Sequence, residues 1–219
     1  FLENIRKIND KIIFIYSSSD KAYGELNNRK EYKETDRLQS IYPYDVSKSA
    51  SDLICQSYAK TYSLTTGIIR CGNIYGPGDF NLKRLIPEVI LSSLKNKRFT
   101  IRSSGKSTRD YVYVEDVVKA YISLMNKLIR SPGQLKTYNV SSKFNYSVIE
   151  IVNMILKTMN CLHLKPIILN TSKREINFQR LNYSKIKKEL RWKPQTDIKI
   201  GISRTIKWYK EYYKFLIKR

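Results

Sequence analysis

The sequence predicts an α/β fold built on a parallel sheet, and three observations carry that expectation. Short apolar runs alternate with segments whose apolar residues recur at helical spacing, the pattern of strands joined by crossover helices. The run at residues 12–16 (IIFIY) is apolar throughout, as a strand covered on both faces is, and residues 65–71 (TTGIIRC) read as a second buried strand. Each run gives way to small polar residues or to Gly and Pro, "SSSDKAYG" after the first and "GNIYGPGD" after the second. Ligands of open parallel sheets bind just beyond such strand ends.

Taken in order, residues 1–9 read as the end of a helix and 12–16 as a buried strand. Residues 24–43 are polar and turn-rich, hence a loop. From Tyr44 to about Tyr62, Val46, Ala50, Leu53, Ile54 and Tyr58 recur at helical spacing. The second strand follows at 65–71, then a loop at 72–79 rich in Gly and Pro. Further helices are expected near 83–96, 115–129, 147–160, 183–190 and 199–215, and short strands at 99–102, 137–141 and 166–169. No internal repeat or low-complexity linker interrupts the chain.

Composition narrows the function. The 219 residues suffice for one large core or for a large and a small domain. No apolar run approaches the ~20 residues of a membrane span, and the opening "FLENIRKINDK" has no apolar signal core. Three scattered cysteines and one histidine argue against a zinc site and for a reducing compartment, the cytoplasm. The net charge of +22 is the loudest bulk feature. It is spread over the whole length without a nucleic-acid-binding pattern, so a nucleic-acid partner is not expected, whereas a phosphate-bearing small substrate would suit it.

The chemistry concentrates in two stretches. "YPYDVSK" sets Tyr44 and Lys48 four apart, on one helix face. A neighbouring ammonium favours the phenolate form of a tyrosine, and such a phenol can take a proton from a sugar hydroxyl while a hydride leaves its carbon. Ser19 ends the first apolar strand 25 residues earlier, where a hydroxyl can hydrogen-bond the reacting oxygen.

With "SSSDKAYG", "YPYDVSK", "IIRCGNIYGPGD", "LIPEVI", "RDYVYVEDVVKAY", "YNVSS" and "LRWKP" in this order, nearly the whole chain resembles the extended short-chain dehydrogenases/reductases that act on nucleotide sugars. "SSDKAYG" followed by "PYDVSKS" is most similar to the CDP-glucose 4,6-dehydratases; epimerases of the family usually carry small or apolar residues where Asp20 and Lys21 stand. The resemblance implies the C-terminal part of a Rossmann-type doubly wound parallel sheet plus a small α/β substrate-binding domain. Residues 1–78 would form the second half of the NAD-binding domain. Residues 79–219 would be mainly the nucleotide-sugar domain, with returns to the sheet near 110–145.

The same resemblance implies NAD as cofactor, met by Ser17, Tyr44 and Lys48, and a homodimer. Tyr44 would be the base of C4 oxidation, beside Ser19. Asp20 and Lys21, adjacent titratable groups, would serve water elimination, Asp20 protonating the leaving 6-hydroxyl and Lys21 taking the C5 proton. Asn73 would bind the substrate diphosphate and Arg109 the nucleotide phosphate or ribose; Asn81, Arg84, Glu175 and Gln179 would complete the nucleotide site. The family's glycine-rich GxxGxxG turn is absent from these residues, so the expectation is an N-terminally truncated chain or one whose first half is another chain. Two alternatives stay open, a nucleotide-sugar 4-epimerase and a non-catalytic partner subunit.

Overall fold

The computed structural model describes residues 1–25, 31–172 and 178–216. Its chain order is α1 (Leu2–Ile8), β1 (Phe14–Ser19), a 3-10 turn (Asp20–Tyr23), α2 (Pro43–Tyr62), β2 (Thr66–Cys71), β3 (Asn73–Tyr75), α3 (Leu85–Leu94), β4 (Thr100–Ile101), β5 (Thr108–Tyr113), α4 (Val114–Ile129), β6 (Leu135–Val140), β7 (Asn145–Ser147), α5 (Val148–Thr158), β8 (Ile167–Ile168), α6 (Ser184–Leu190) and α7 (Ile198–Leu216). The chain divides into two compact units, each assembled from three segments. The first comprises Phe1–Gly72, Glu115–Lys143 and Gln179–Pro194; the second comprises Asn73–Val114, Phe144–Phe178 and Gln195–Arg219.

The first unit is a parallel sheet in the order β1-β2-β6. Its register runs from Phe14 opposite Thr66 to Ser19 opposite Cys71, and from Thr66 opposite Leu135 to Cys71 opposite Val140. The carboxyl ends of all three strands therefore lie level. Strand β2 is buried at every position, as a central parallel strand with both faces covered must be. Helix α2 covers one face, packing Cys55 and Tyr58 against Phe14, Tyr16, Ile68 and Leu135. Pro43 opens it, a residue whose fixed φ and missing N–H suit a first helical turn, and Ser63 ends it in the left-handed region at φ 54°.

The first strand differs from its sequence expectation. It begins at Phe14 and runs through all three serines, where the apolar pattern placed it at 12–16. Ladder bonds to β2 continue to Ser19, and Ser18 is tolerated inside because a carboxylate receives its hydroxyl. In the polar stretch after it, Tyr32 is 1% exposed, bridges to Leu181 and stacks on Tyr23 at 4.9 Å.

The second unit joins β3 to β5 in parallel and β5 to β7 antiparallel, beside a two-stranded ladder of β4 and β8. Its core is helical, Val89 and Ile90 of α3 meeting Ile151, Val152 and Ile155 of α5 and Ile202, Ile206 and Tyr209 of α7. Helix α5 is set by a capping box, in which Ser147 Oγ accepts from the Glu150 N–H at 3.3 Å and Glu150 Oε2 accepts from the Ser147 N–H at 2.7 Å. Strands β3, β5 and β7 had no counterpart in the sequence expectation.

Candidate active site

The end of β1 is built by hydroxyls. Ser19 holds extended backbone (φ −146°) and caps the 3-10 turn, its Oγ accepting from the Lys21 N–H at 3.2 Å and donating to Asp20 Oδ1 at 3.0 Å. That bond turns the chain sharply after the strand, so Asp20 and Lys21 project from its carboxyl end. Gly24 closes the turn at φ 74°; a β-carbon there would sit 2.6 Å from the Gln39 carbonyl oxygen, so only glycine fits. Asp20 is 3% exposed, and Lys21 Nζ donates to Gln179 Oε1 at 2.6 Å.

Helix α2 presents the other catalytic candidates. Lys48 Nζ lies 6.0 Å from the Tyr44 ring centre and 5.6 Å from that of Tyr16, and donates to the Ser17 carbonyl at 3.1 Å. Tyr44 is 60% exposed, its phenol open to a ligand. Tyr121 of α4 meets Ser17, and burial pushes its own phenol up to about 12. Ser17 is thus engaged at its carbonyl by Lys48 and at its side chain by Tyr121.

One carboxylate in this motif escaped the sequence analysis. Asp45 is 7% exposed in the first turn of α2. Burial raises its carboxyl above the ordinary range, and the charge of Lys21 pulls against that rise. It couples the α2 face to the 3-10 turn. Its signal was its place between Tyr44 and Lys48, where a helix-start aspartate passes for an N-terminal dipole partner.

Beneath these groups runs a buried polar chain that no local sequence pattern announces. Asp52 accepts from Arg70 Nε and Nη2, both at 2.9 Å, from Ser18 Oγ at 2.7 Å and from Gln56 Nε2 at 2.8 Å. Arg70 Nη1 donates to the Tyr23 hydroxyl at 2.8 Å, which donates to Asn139 Oδ1 at 2.8 Å. Burial opposes the Arg70 charge, but Asp52 and Tyr23 together more than offset it and hold the guanidinium above its ordinary value. Burial pushes the Tyr23 phenol up to about 12. The chain ties β1, α2, β2 and β6 together one residue behind Ser19.

In the second unit, Asn73, Arg84 and Arg109 line one cavity of about 690 Å³. Lys83, Phe99, Arg102 and Tyr111 also line it, a set of cations and rings suited to phosphate and a flat base. Arg84 is 3.2 Å from Asp79. Arg109 Nη1 donates to the Thr108 carbonyl at 2.9 Å. Asn81 is exposed outside that lining, its N–H donating to Asp79 Oδ1 at 3.1 Å. Gln179 belongs to the first unit, fully buried behind Lys21. Glu175 lies outside the described residues. Among the described residues no His/Cys/Asp/Glu group could hold a metal ion, and no helix is long and apolar enough to cross a membrane.

A parallel sheet with a Tyr-x3-Lys helix beside its carboxyl ends is the arrangement that the resemblance to extended short-chain dehydrogenases/reductases implies. The NAD dependent epimerase/dehydratase family matches residues 2–141, and the chain belongs to it. The human dTDP-D-glucose 4,6-dehydratase is 32% identical over 205 residues, 91% of this chain and 57% of that protein. The Escherichia coli dTDP-glucose 4,6-dehydratase is 32% identical over 216 residues, 90% of this chain and 58% of that protein. The chain thus spans a little over half the length of these curated relatives. Among solved structures, dTDP-glucose 4,6-dehydratase from Bacillus anthracis in complex with NAD superposes with a TM-score of 0.89 at 26% identity, over 98% of this chain and 66% of that one. UDP-glucose 4-epimerase from Thermotoga maritima with UDP-glucose gives a TM-score of 0.87 at 26% identity, over 97% of this chain and 67% of that one.

Proposed function

We propose that the whole protein is an NAD-dependent 4,6-dehydratase of a nucleoside diphosphate hexose, CDP-glucose being the first substrate to test and dTDP-glucose the second. The observation that carries this reading is the Asp20–Lys21 pair at the carboxyl end of β1, beside the Tyr44/Lys48 helix face. Oxidation and hydride return need one proton-transfer group, which an epimerase also has. Elimination of water needs two more, and the pair supplies them.

The residues fit NAD. Lys48 is anchored at 3.1 Å on the Ser17 carbonyl with Tyr44 open beside it, so Lys48, Tyr44 and Ser17 would hold the nicotinamide end. When bound, NAD supplies the acceptor and later the donor of a hydride. Tyr44 takes the proton of the 4-hydroxyl as C4 becomes a ketone, with Ser19 able to hydrogen-bond the same oxygen. The ketone acidifies the C5 hydrogen. Lys21 takes that proton, Asp20 protonates the 6-hydroxyl, and water leaves across C5–C6. A proton then returns to C5 as C6 is reduced. The redox change is internal, C4 oxidised and C6 reduced, with one water lost.

Asn73, Arg84 and Arg109 are the groups we assign to the diphosphate and nucleotide, with Asn81 and Glu175 as further candidates. A homodimer is part of this reading. Exposed Val46, Leu53 and Ile54 on α2 and Val118, Ile122, Met125 and Ile129 on α4 form rows at helical spacing that support it. None of Cys55, Cys71 and Cys161 is in a disulfide, which supports a cytoplasmic setting.

The experiment is product analysis by mass spectrometry after the whole protein meets NAD+ and CDP-, dTDP-, UDP- or GDP-hexose in turn. Loss of one water from a single substrate establishes the dehydratase. An unchanged mass with inverted C4 configuration establishes instead a 4-epimerase, the second reading, which the Thermotoga likeness favours. No turnover of any of them refutes both.

A further inference from the structure

The turn that carries Asp20 and Lys21 is gripped from a distant part of the chain. Lys21 Nζ donates to Gln179 Oε1 at 2.6 Å across 158 residues of sequence. Lys21 is half-buried, whereas Gln179 is 0% exposed. The enclosed amide meets Lys21 directly, and that bond is a route by which it can act on the chemistry. Asp45 on α2 lies close enough to Lys21 for their charges to interact, Asp20 precedes Lys21 on its own turn, and Tyr44 and Lys48 stand on either side of Asp45 in the first turns of α2.

The identity of the partner is informative. A carboxylate at hydrogen-bond distance holds a lysine as ammonium, because a charge-assisted bond is roughly twice as strong as a neutral one. A lysine that must accept a proton from carbon has to pass through the free amine. An orienting partner for such a lysine therefore has to accept a hydrogen bond without carrying charge, and a carboxamide does that. Reach matters as well, since a misplacement of about 1 Å in a catalytic group can lower a rate ~10²-fold.

We propose, resting on the dehydratase reading above, that Gln179 is a positioning residue for Lys21: a buried, uncharged acceptor that fixes Nζ at the end of β1 and leaves the amine able to take the C5 proton of the sugar. The proton passes from C5 to Nζ as the C5–H electron pair moves into the ketone, and Gln179 neither gains nor loses a proton.

The test uses Gln179→Glu and Gln179→Met in the whole protein, read in two ways. First, the titration of Lys21 is followed by NMR with isotope-labelled lysine and no substrate, with Lys21→Met identifying the signal. Second, kcat and KM are measured across pH. Gln179→Glu is expected to move the Lys21 titration up by about one pH unit or more, the effect of an opposite charge at this distance. The acidic limb of its kcat profile should move up by the same amount, so that activity recovers as pH rises. Gln179→Met is expected to lower kcat by ~10² at every pH with KM within about twofold. A Lys21 titration unmoved in Gln179→Glu overturns the proposal, as does loss of activity in both variants with an unshifted pH profile, which marks a merely structural side chain. A raised KM with kcat intact in Gln179→Met also overturns it. Should the glutamate variant not fold, the kcat-against-KM split of the methionine variant decides. Should the whole protein dehydrate no nucleotide sugar, the functional reading fails by itself, and the Lys21 titration still decides whether Gln179 governs that amine.

Discussion

Replacing Asp52 by alanine tests how the end of β1 is braced. Asp52 is 0% exposed and accepts four hydrogen bonds, two of them from Arg70, itself 2% exposed. The alanine leaves a buried guanidinium with no counter-charge and frees Ser18 and Gln56. Removing one partner of a buried pair destabilises by about 3–5 kcal/mol. At about 2–4 °C per kcal/mol for a chain of this size, the melting temperature should fall by roughly 6–20 °C. Arg70→Met strands the opposite charge and should fall by a similar amount. The double variant removes both charges, so its loss should be smaller than the sum of the two singles by about 1–3 kcal/mol. Urea and thermal unfolding of the four proteins close the cycle. A single-variant loss under about 1 kcal/mol, or strict additivity in the double variant, would refute the view that this pair is a tightly coupled unit.

Four further outcomes follow from the geometry. Tyr44→Phe keeps the ring beside Lys48 but removes the hydroxyl, so kcat should fall at least ~10²-fold with little change in KM; near-normal turnover removes Tyr44 from the mechanism. Asp20→Asn and Lys21→Met should each slow release of the dehydrated sugar ~10²-fold while C4 oxidation, followed through the absorbance of NADH accumulating on the enzyme, survives; loss of oxidation as well would place the pair earlier in the reaction. Asp45 has its carboxyl held above the ordinary value, so the folded state binds that proton more tightly than the unfolded chain does. The stability this contributes is present below about pH 4 and lost as pH rises, and Asp45→Asn should therefore gain on the wild type in a melting series from about pH 4 to neutrality; a pH-independent difference would contradict this. Gly201→Ala sets a β-carbon 2.9 Å from Tyr75 Cζ and 3.0 Å from Tyr113 Cδ2, and equilibrium unfolding should show a loss of about 1–3 kcal/mol, where an unchanged midpoint would mean that α7 moves aside freely.

The helices were legible because their apolar faces repeat over many turns. Tyr44 to Tyr62 was expected and Pro43–Tyr62 is found. Strand β1 was misplaced because its last three residues are serines, and only the partner strand and Asp52 make a polar strand end stable there. Strands β3 and β7, at three residues each, are too short to show a period, and in β5 "TRDYVY" the first residues are polar. Lys48 beside Tyr44 could be seen from helical spacing. The bond from Lys21 to Gln179 could not, because no local rule relates residues 158 apart, and the Asp52–Arg70 pair was hidden for the same reason.

The three-segment make-up of the first unit sets an order on the chain's synthesis. Strand β6, Leu135–Val140, joins β2, and Gln179–Pro194 follows later still. At the ~5–20 residues per second of translation, the 158 residues between Lys21 and Gln179 take roughly 8–30 s to emerge. Through that interval the nascent Lys21 waits without its amide, and until Leu135–Val140 emerges β2 lacks its β6 partner along one edge. No contiguous excision can deliver either unit intact, so recombination that swaps segments between relatives must exchange all three at once. Drift at 179–194 is in this way answerable to a turn laid down 158 residues before Gln179.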